Sequence, residues 1–115
     1  MSKFLVLYRM PIDGLDEWMK IPAEERKAAE DQLKAKWDTW QATNASMILE
    51  TAGAGKTKRI DNSGTTDTKN DLMLYSLVEA ESHDAAAKLF EGHPHLEIPG
   101  AWIEVMTANP LPGMQ

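Results

Sequence analysis

Apolar residues recur along this chain either at every second position, which is typical of strands, or at every third to fourth position, which is typical of helices. The changes between these two periods divide the chain into strands and helices. Residues 3–9 (KFLVLYR) are mostly apolar and are followed by Met10-Pro11, which predicts a strand that ends there. Since successive strand residues point to opposite faces, one face would carry Phe4, Val6 and Tyr8, and the other Leu5, Leu7 and Arg9.

A helical period follows this strand. Four apolar residues recur at spacings of four, four and three, which is typical of one buried helix face. Pro22 suits the first helical position, so a helix is predicted over residues 22–43, after a loop or short helical turn over 11–20. The four apolar positions are Ala29, Leu33, Trp37 and Trp40.

The second half of the chain repeats the strand and helix pattern. Strands are predicted over residues 46–51, 71–80 and 101–107, and Ser82 suits the N-cap of a helix that ends at Gly92-His93-Pro94. Residues 52–70 are rich in Gly, Thr, Ser and Asp, which predicts a loop with a short extended piece at 56–60.

The resulting order, β-α-β-β-α-β, predicts one α+β domain over residues 1–115 with a ferredoxin-like fold. Its four-stranded antiparallel sheet would carry both helices on one face. Because the strands are apolar on both faces, the second face also needs a cover. A second copy of the chain is the simplest cover, so we expect a two-fold homodimer.

Composition narrows the classes of partner. The net charge is −6 and the basic cluster Lys56, Lys58, Arg59 is short, so we expect no nucleic-acid partner. The chain has no cysteine, which excludes disulfides and thiolate chemistry. No apolar run approaches the ~20 residues of a membrane span, and the expectation is a cytoplasmic protein without a membrane partner.

The pair His93 and His95 is the first candidate for chemistry, because histidine titrates near neutral pH. A helix C-terminus favours the protonated ring, so His93 would hold an anion or donate a proton, with His95 as its orienting partner or a second acid. The alternative is structural: His93 hydrogen-bonds the carbonyl groups at the helix end, and His95 packs at the rim of the sheet.

Polar residues on the predicted strands complete the candidate site. Arg9 would clamp a substrate anion, and a ligand would be oriented by Tyr8, Tyr75, Ser76 and Glu104. The alternative is that these groups pair with one another at strand ends, for example Arg9 with Glu104.

Two other kinds of site are weaker hypotheses. His93-x-His95 with Glu97 suggests metal ligands, but the only further candidate ligand is the distant Glu104. Residues 50–57 end in Gly-Lys-Thr like a phosphate-binding loop, but Glu50 stands where the first glycine is needed. We therefore predict neither a metal nor an organic cofactor.

Three segments carry a resemblance to known proteins: KFLVLYR with Met10-Pro11, the Ser63-Gly64 loop before LMLYSLVEAES, and KLFEGHPHLEIPGAWIEVM with its Pro-rich tail. On these segments the chain resembles the YCII-related family of small dimeric α+β barrel proteins. The resemblance implies a dimer whose sheets face each other, with a cleft near the ends of the sheet and helices. It also implies that some relatives take part in the degradation of aromatic compounds, and that a histidine–aspartate pair is the family's candidate for acid–base chemistry.

This chain departs from the family pattern at the pair itself. His93-Pro94 stands where such relatives have Asp-Pro, and Lys36 stands where they have a histidine on the first helix. The Asp-Gly-Pro-Phe signature of a sister group is here Asp61-Asn62-Ser63-Gly64. Two functions remain open: a cofactor-free acid–base enzyme of isomerase or lyase type acting on a small cyclic or aromatic compound, and a non-catalytic ligand-binding or structural homodimer.

Overall fold

A computed structural model describes residues 1–113, apart from the side chain of Leu15. Six strands and three α-helices are joined by two short 3₁₀ helices. In chain order these elements are β1 (Ser2–Arg9), α1 (Ile12–Met19), α2 (Ala23–Thr43), a 3₁₀ helix (Ala45–Met47), β2 (Ile48–Gly53), β3 (Thr57–Asp61), β4 (Gly64–Thr68), β5 (Leu72–Ala80), α3 (His83–Leu89), a 3₁₀ helix (Pro94–Glu97) and β6 (Trp102–Thr107).

Four strands form one antiparallel sheet in the order β2-β5-β1-β6. The strand β1 lies inside the sheet and pairs with both β5 and β6, so that Val6 is opposite Ser76 on one side and Val105 on the other. This is the sheet order of a ferredoxin-like domain, and the predicted α+β fold is confirmed.

The core lies on the face of the sheet that the helices cover. Phe4, Val6 and Tyr8 are buried there, as the alternation along β1 predicts. Two side chains of α3 complete this layer from above, Ala86 and Phe90, the second at the helix C-cap. Burial of each large apolar side chain contributes roughly 1.5–3 kcal/mol, so this face supplies most of the stability of a single chain.

The long helix α2 is attached to the core only near its C-terminal end. Trp37 and Trp40 pack against the core, whereas Ala29 is exposed, so the predicted apolar stripe is wrong at its first position. No residue of α2 is fully buried. Within residues 1–113, no helix combines the length and apolar character needed to cross a membrane.

Two segments of the chain are more ordered than the sequence predicts. Residues 11–20 contain a two-turn helix, α1, and residues 52–70 contain a β-hairpin in place of a loop with one extended piece. β3 and β4 form a separate two-stranded sheet. At its turn, the carboxylate of Asp61 accepts a hydrogen bond from the backbone N–H of Ser63 at 2.8 Å, and Gly64 has a φ of 120°.

The second face of the four-stranded sheet stays partly exposed in the single chain. Apolar side chains lie at its centre, and the single chain leaves them without the second cover that the sequence analysis expects from another copy. The radius of gyration is 16.3 Å, larger than the ~13–14 Å expected of a compact domain of this length. The open face, as we call it, is formed by Leu5, Leu7, Tyr75, Leu77 and Met106 with the polar residues Arg9, Glu50 and Glu104.

The turn before β6 depends on a glycine. Gly100 has a φ of 76°, and a Cβ atom there would meet Cγ of Pro11 at 2.9 Å. Gly92 has a similar φ of 74°, but a Cβ there would have no atom within 4 Å. Gly100→Ala should therefore lower the free energy of unfolding by ~2–3 kcal/mol, and Gly92→Ala by only ~1–2 kcal/mol.

Urea denaturation followed by far-UV circular dichroism measures both costs. Since the two variants share the backbone strain, their difference isolates the clash with Pro11. Equal costs for the two variants would contradict this account of the turn.

Candidate functional site

Both candidate histidines lie inside the protein and not in a solvent cleft. α3 ends at Leu89, Gly92 turns the chain, and His93 and His95 then enter the core with exposed fractions of 1% and 2%. Nδ1 of His93 accepts a hydrogen bond from the backbone N–H of His95 at 2.9 Å. The neutral ring of His93 therefore carries its proton on Nε2.

The imidazole of His93 is enclosed by aromatic rings from three elements. Its centroid lies 4.3 Å from that of Trp40 and 4.5 Å from that of Trp37, both in edge-on geometry. Tyr8 and Phe90 lie at 5.3 and 5.9 Å. Nε2 of His93 is buried and has no hydrogen-bond partner among the described residues. We call these five residues the aromatic box.

Burial determines the protonation state of both rings. Desolvation, helped by the nearby His95, lowers the pKa of His93 to about 4. Desolvation also lowers the pKa of His95, although its hydrogen bonds to backbone carbonyl groups oppose this. The expectation that the helix end keeps His93 protonated is therefore wrong, because the loss of water outweighs the helix dipole. Neither ring is a proton donor at neutral pH.

His95 instead links the helical layer to the end of β1. Its Nε2 donates a hydrogen bond to the backbone carbonyl oxygen of Arg9 at 2.8 Å. This bond fixes the backbone from which the Arg9 side chain leaves on the other face of the sheet. His95 therefore positions Arg9, and its Nε2 is not free for a metal ion.

A chain of hydroxyl groups continues from the aromatic box under α2. The hydroxyl of Tyr8 lies 2.8 Å from Oγ of Ser76, which lies 2.7 Å from Oγ1 of Thr51. Nε2 of Gln41 donates to Oγ1 of Thr51 at 3.2 Å. Burial raises the pKa of Tyr8 to about 12, although the bond to Ser76 opposes this. Tyr8 and Ser76 are thus neutral core groups.

A second group of candidate residues lies on the open face. The guanidinium of Arg9 donates hydrogen bonds from Nε to Glu104 and from Nη1 to Asp71. The pairing of Arg9 with Glu104 is the alternative considered from the sequence, and Asp71 adds a second carboxylate. Because two negative charges already surround one positive charge, the predicted role of Arg9 as a clamp for an anion is not supported by its surroundings.

Tyr75 lies on the same face beside Glu50. A hydrogen bond to Glu50, together with its negative charge, raises the pKa of the Tyr75 phenol. Glu50 on β2 is opposite Leu77 on β5, and Tyr75 on β5 is opposite Ala52 on β2. Tyr75 and Glu50 are therefore diagonal neighbours on the same face of adjacent strands. We call Arg9, Glu50, Asp71, Tyr75 and Glu104 the acidic cluster.

The sheet thus separates the predicted site residues into two groups. Tyr8, Ser76, His93 and His95 lie on the helix-covered side, whereas Arg9, Tyr75 and Glu104 lie on the open face. The sequence analysis missed Asp71 and Glu50. Asp71 could have been found, because it directly precedes a strand predicted to pair with the strand that ends at Arg9.

The two positions of the family's acid–base pair lie on elements that pack together, α2 and the segment after α3. Lys36 does not interact with His93, since its Nζ forms a salt bridge with Glu97 at 2.8 Å. Both partners of this salt bridge are more than half exposed, at 57% and 51%. At the position where the resemblance would place the histidine of an acid–base pair, this chain therefore has a lysine that forms a surface ion pair with Glu97.

The two other hypotheses from the sequence can also be located. Within the part of the chain that the structure describes, no three His, Asp or Glu side chains form a group that could hold a metal ion. Residues 50–57 belong to β2, a short connection and the start of β3. No helix follows Gly55-Lys56-Thr57, so the phosphate-loop geometry does not arise there.

Two grooves stand out among the described residues, and the lining of neither includes His93 or His95. An open groove of about 1060 Å³ lies between the β3–β4 hairpin, α1 and the ends of β1 and β5. A second of about 780 Å³ lies beside the start of β1 and includes His83. His83 is exposed and stacks on Phe4 with 5.5 Å between ring centroids.

Comparison with known proteins finds a likeness of fold. No protein-family model and no curated protein matches the chain. A similar solved structure is that of 5-chloro-2-hydroxyhydroquinone dehydrochlorinase (TftG) from Burkholderia phenoliruptrix AC1100 in complex with 2,5-dihydroxybenzoquinone. It shares 14% sequence identity and a TM-score of 0.58 over 98% of this chain and 99% of that chain. The likeness confirms the dimeric α+β barrel fold class and supports the YCII resemblance at the level of fold.

The buried histidines should make the stability depend on pH. Because the pKa of His93 falls from 6.5 to about 4 on folding, the unfolded chain binds more protons between these values. Stability is then fully present above pH 6.5 and falls as the pH drops towards 4, by ~3 kcal/mol from His93 at 1.36 kcal/mol per pKa unit.

Urea unfolding between pH 7.5 and about 4 tests this. His93→Gln should flatten the profile relative to the wild type, whereas His83→Gln, at an exposed ring, should leave its slope unchanged. A wild-type profile that is flat from pH 6.5 to about 4.5, above the ordinary carboxylate range, would show that His93 titrates normally.

Proposed function

We propose that two copies of this chain pair their open faces, and that the dimer acts on a small cyclic or aromatic compound that carries hydroxyl groups. The observation that carries this proposal is the composition of the open face, which has an apolar centre beside the acidic cluster. The proposed chemistry is proton transfer of isomerase or lyase type, without an organic cofactor.

The apolar centre of the open face supports the dimer. Leu5, Leu7 and Leu77 lie side by side on neighbouring strands and are only half-buried in the single chain. Contiguous apolar surface of this kind marks an interaction site in soluble proteins. A second copy provides a matching surface by symmetry, and pairing of the sheets is the arrangement that the fold class implies.

The acidic cluster supports a ligand with hydroxyl groups. Carboxylates accept hydrogen bonds from hydroxyl donors, and the acidic cluster has three carboxylates for one guanidinium, two of which contact it. An anionic ligand would meet this net negative charge, whereas a neutral phenol or polyol would find acceptors in Glu104 and Asp71. The structurally similar dehydrochlorinase acts on a chlorinated hydroxyhydroquinone, which agrees with this class of compound.

A catalytic role would rest on the same carboxylates. Glu104 is 47% exposed, so it can reach a bound hydroxyl or an acidic C–H group and accept its proton. The histidines then act indirectly, because His95 holds the backbone of Arg9 and Arg9 orients Glu104. Tyr8 and Ser76 support the same sheet from the other side.

Non-catalytic binding is the second candidate function. It is favoured by the replacement of the family's acid–base pair with Lys36 and His93, of which one is salt-bridged to Glu97 and the other is buried. In that case the dimer would bind the same class of compound through the acidic cluster without turning it over.

The dimer is tested by sedimentation velocity at micromolar concentration. The wild type should sediment as a dimer. Leu7→Lys places a charge at the centre of the open face and should weaken the dimer by about 100-fold or more. Leu96→Lys, at a 42% exposed side chain of the 3₁₀ helix, should have no effect. A wild-type monomer at this concentration would refute the dimer.

Ligand binding is tested by isothermal titration calorimetry with hydroquinone and 1,2,4-trihydroxybenzene. We expect binding of both compounds, no binding of benzoate, and a loss of about tenfold or more in Glu104→Gln. Glu24→Gln, in the first turn of α2, is the matched control. Tighter binding of benzoate than of the hydroxylated compounds would refute the role of the acidic cluster.

Turnover of a compound that binds would separate the two candidate functions. Spectra of hydroxylated and chlorinated hydroquinones would be followed over time with the wild type and with Glu104→Gln. Conversion that is lost in the variant supports proton transfer, and binding without conversion supports the second candidate.

A further inference from the structure

The β3–β4 hairpin projects from the rest of the chain. Every residue from Lys58 to Asn70 is exposed, and the side chain of Ile60 is 78% exposed. The hairpin is joined to the main sheet at its base, where the backbone N–H of Ala54 donates to the carbonyl oxygen of Met73 at 2.9 Å. It forms its own two-stranded sheet.

This hairpin has no apolar face with which to stabilise itself. Its strands read TKRID and GTTDT, so Ile60 is their single large apolar residue. An ion pair between Lys58 and Asp67 at 2.6 Å joins the two strands at the surface, and such pairs contribute little. Since an isolated two-stranded hairpin is marginal in water, a regular hairpin here needs a surface to lie on.

Charge indicates what that surface is. Residues 54–70 contain four cations and two carboxylates, in a chain whose net charge is −6. The remainder of the chain is therefore more acidic than the whole, and the open face that pairs in the dimer carries three carboxylates, Glu50, Asp71 and Glu104, for one guanidinium. The net positive charge of residues 54–70 comes from Lys56 and Lys69 at the base of the hairpin, because Lys58 and Arg59 on β3 are ion-paired with Asp67 and Asp61. This basic base and the acidic open face attract each other between two copies of the same chain.

Shape agrees with this arrangement. The chain measures 51 × 44 × 19 Å, so it is flat, with the hairpin extending it. The groove beneath the hairpin has an apolar floor that includes Met10, Ile12 and Leu72, and its volume is about 1060 Å³. That volume is at the top of the ~300–1,000 Å³ range of small-molecule pockets, and an open groove of this size suits a protein segment.

We propose that the β3–β4 hairpin is an arm that lies on the partner subunit of a homodimer, with Ile60 packed against the partner and the groove beneath the hairpin occupied by a segment of it. The proposal rests on the dimer of the proposed function and goes beyond it. It assigns a binding role to a polar segment, and it makes each subunit complete only in the presence of the other.

Hydrogen–deuterium exchange of the full-length protein, read by mass spectrometry on peptides that span residues 57–68, tests the arm. The hairpin amides should exchange at least about tenfold more slowly in the concentrated dimer than in protein diluted below the dimer dissociation constant. Dilution makes the comparison without any substitution, and Leu7→Lys repeats it at high concentration.

Two substitutions test the contact itself. Ile60→Asp should raise the dimer dissociation constant by about tenfold or more, and Lys58→Glu should raise it most at low salt. Leu111→Asp, at another exposed apolar residue (62%), should leave it unchanged.

The outcomes distinguish this proposal from the dimer on which it rests. A wild-type dimer whose hairpin amides exchange equally fast at both concentrations, or whose dissociation constant is unchanged by Ile60→Asp, overturns the arm and leaves the dimer standing. A wild type that stays monomeric overturns both. Benzoate binding that is lost in Lys56→Glu, while the dimer is unchanged, would show that the groove binds a small anion. That result would overturn the proposal that a segment of the partner subunit occupies the groove.

Discussion

The helical layer depends on the packing of the His93 imidazole against the two tryptophans of α2. This helix of 21 residues has no fully buried side chain, so its attachment is concentrated where Trp37 and Trp40 meet His93. Aromatic pairs in this geometry contribute ~0.5–1.5 kcal/mol each beyond the area they bury. The cost is a buried Nε2–H without an acceptor among the described residues, which destabilises by ~1–3 kcal/mol.

That packing also explains why the histidines are poor candidates for catalysis. The same loss of water that allows the indole rings to enclose His93 lowers its pKa to about 4. A ring that is neutral, enclosed and absent from the lining of the two grooves can hold elements together but is badly placed to exchange protons with a substrate. Consecutive residues of β1 connect the two faces of the sheet: Tyr8 belongs to the aromatic box, and the next residue, Arg9, lies on the open face.

The sequence predicts those elements whose cause is local. The alternation of β1, the tryptophan spacing of α2, the cap at Ser82 and the stop at Gly92 depend on neighbours within a few residues. The carboxylate of Asp71 that pairs with Arg9 is 62 residues away, so it is found only through the pairing of β1 with β5 and not through a local pattern. The hairpin is hidden because its strands are polar on both faces and show no hydrophobic period.

Burial of His93 is missed for a different reason. A histidine at a helix end, beside a glycine and a proline, has the local signature of an exposed cap. Its burial depends on Tyr8 and on two indoles from α2, more than fifty residues earlier in the chain. Local propensity is here overridden by tertiary packing, and the pKa follows the packing.

The two layers of this fold therefore divide structure from recognition. On the helix side, the sheet is covered by the aromatic box and by the hydrogen-bonded hydroxyl groups of Tyr8, Ser76 and Thr51. On the open face the polar groups remain accessible and their charges do not cancel, because Arg9 is shared by Asp71 and Glu104. Such an uncompensated pair of carboxylates is costly beneath an apolar partner surface. The pair is tolerated if water, a hydroxylated ligand or a basic group of the second subunit reaches it. The excess negative charge of the open face therefore requires that any second subunit leave these carboxylates solvated, bound to a ligand or paired with a cation.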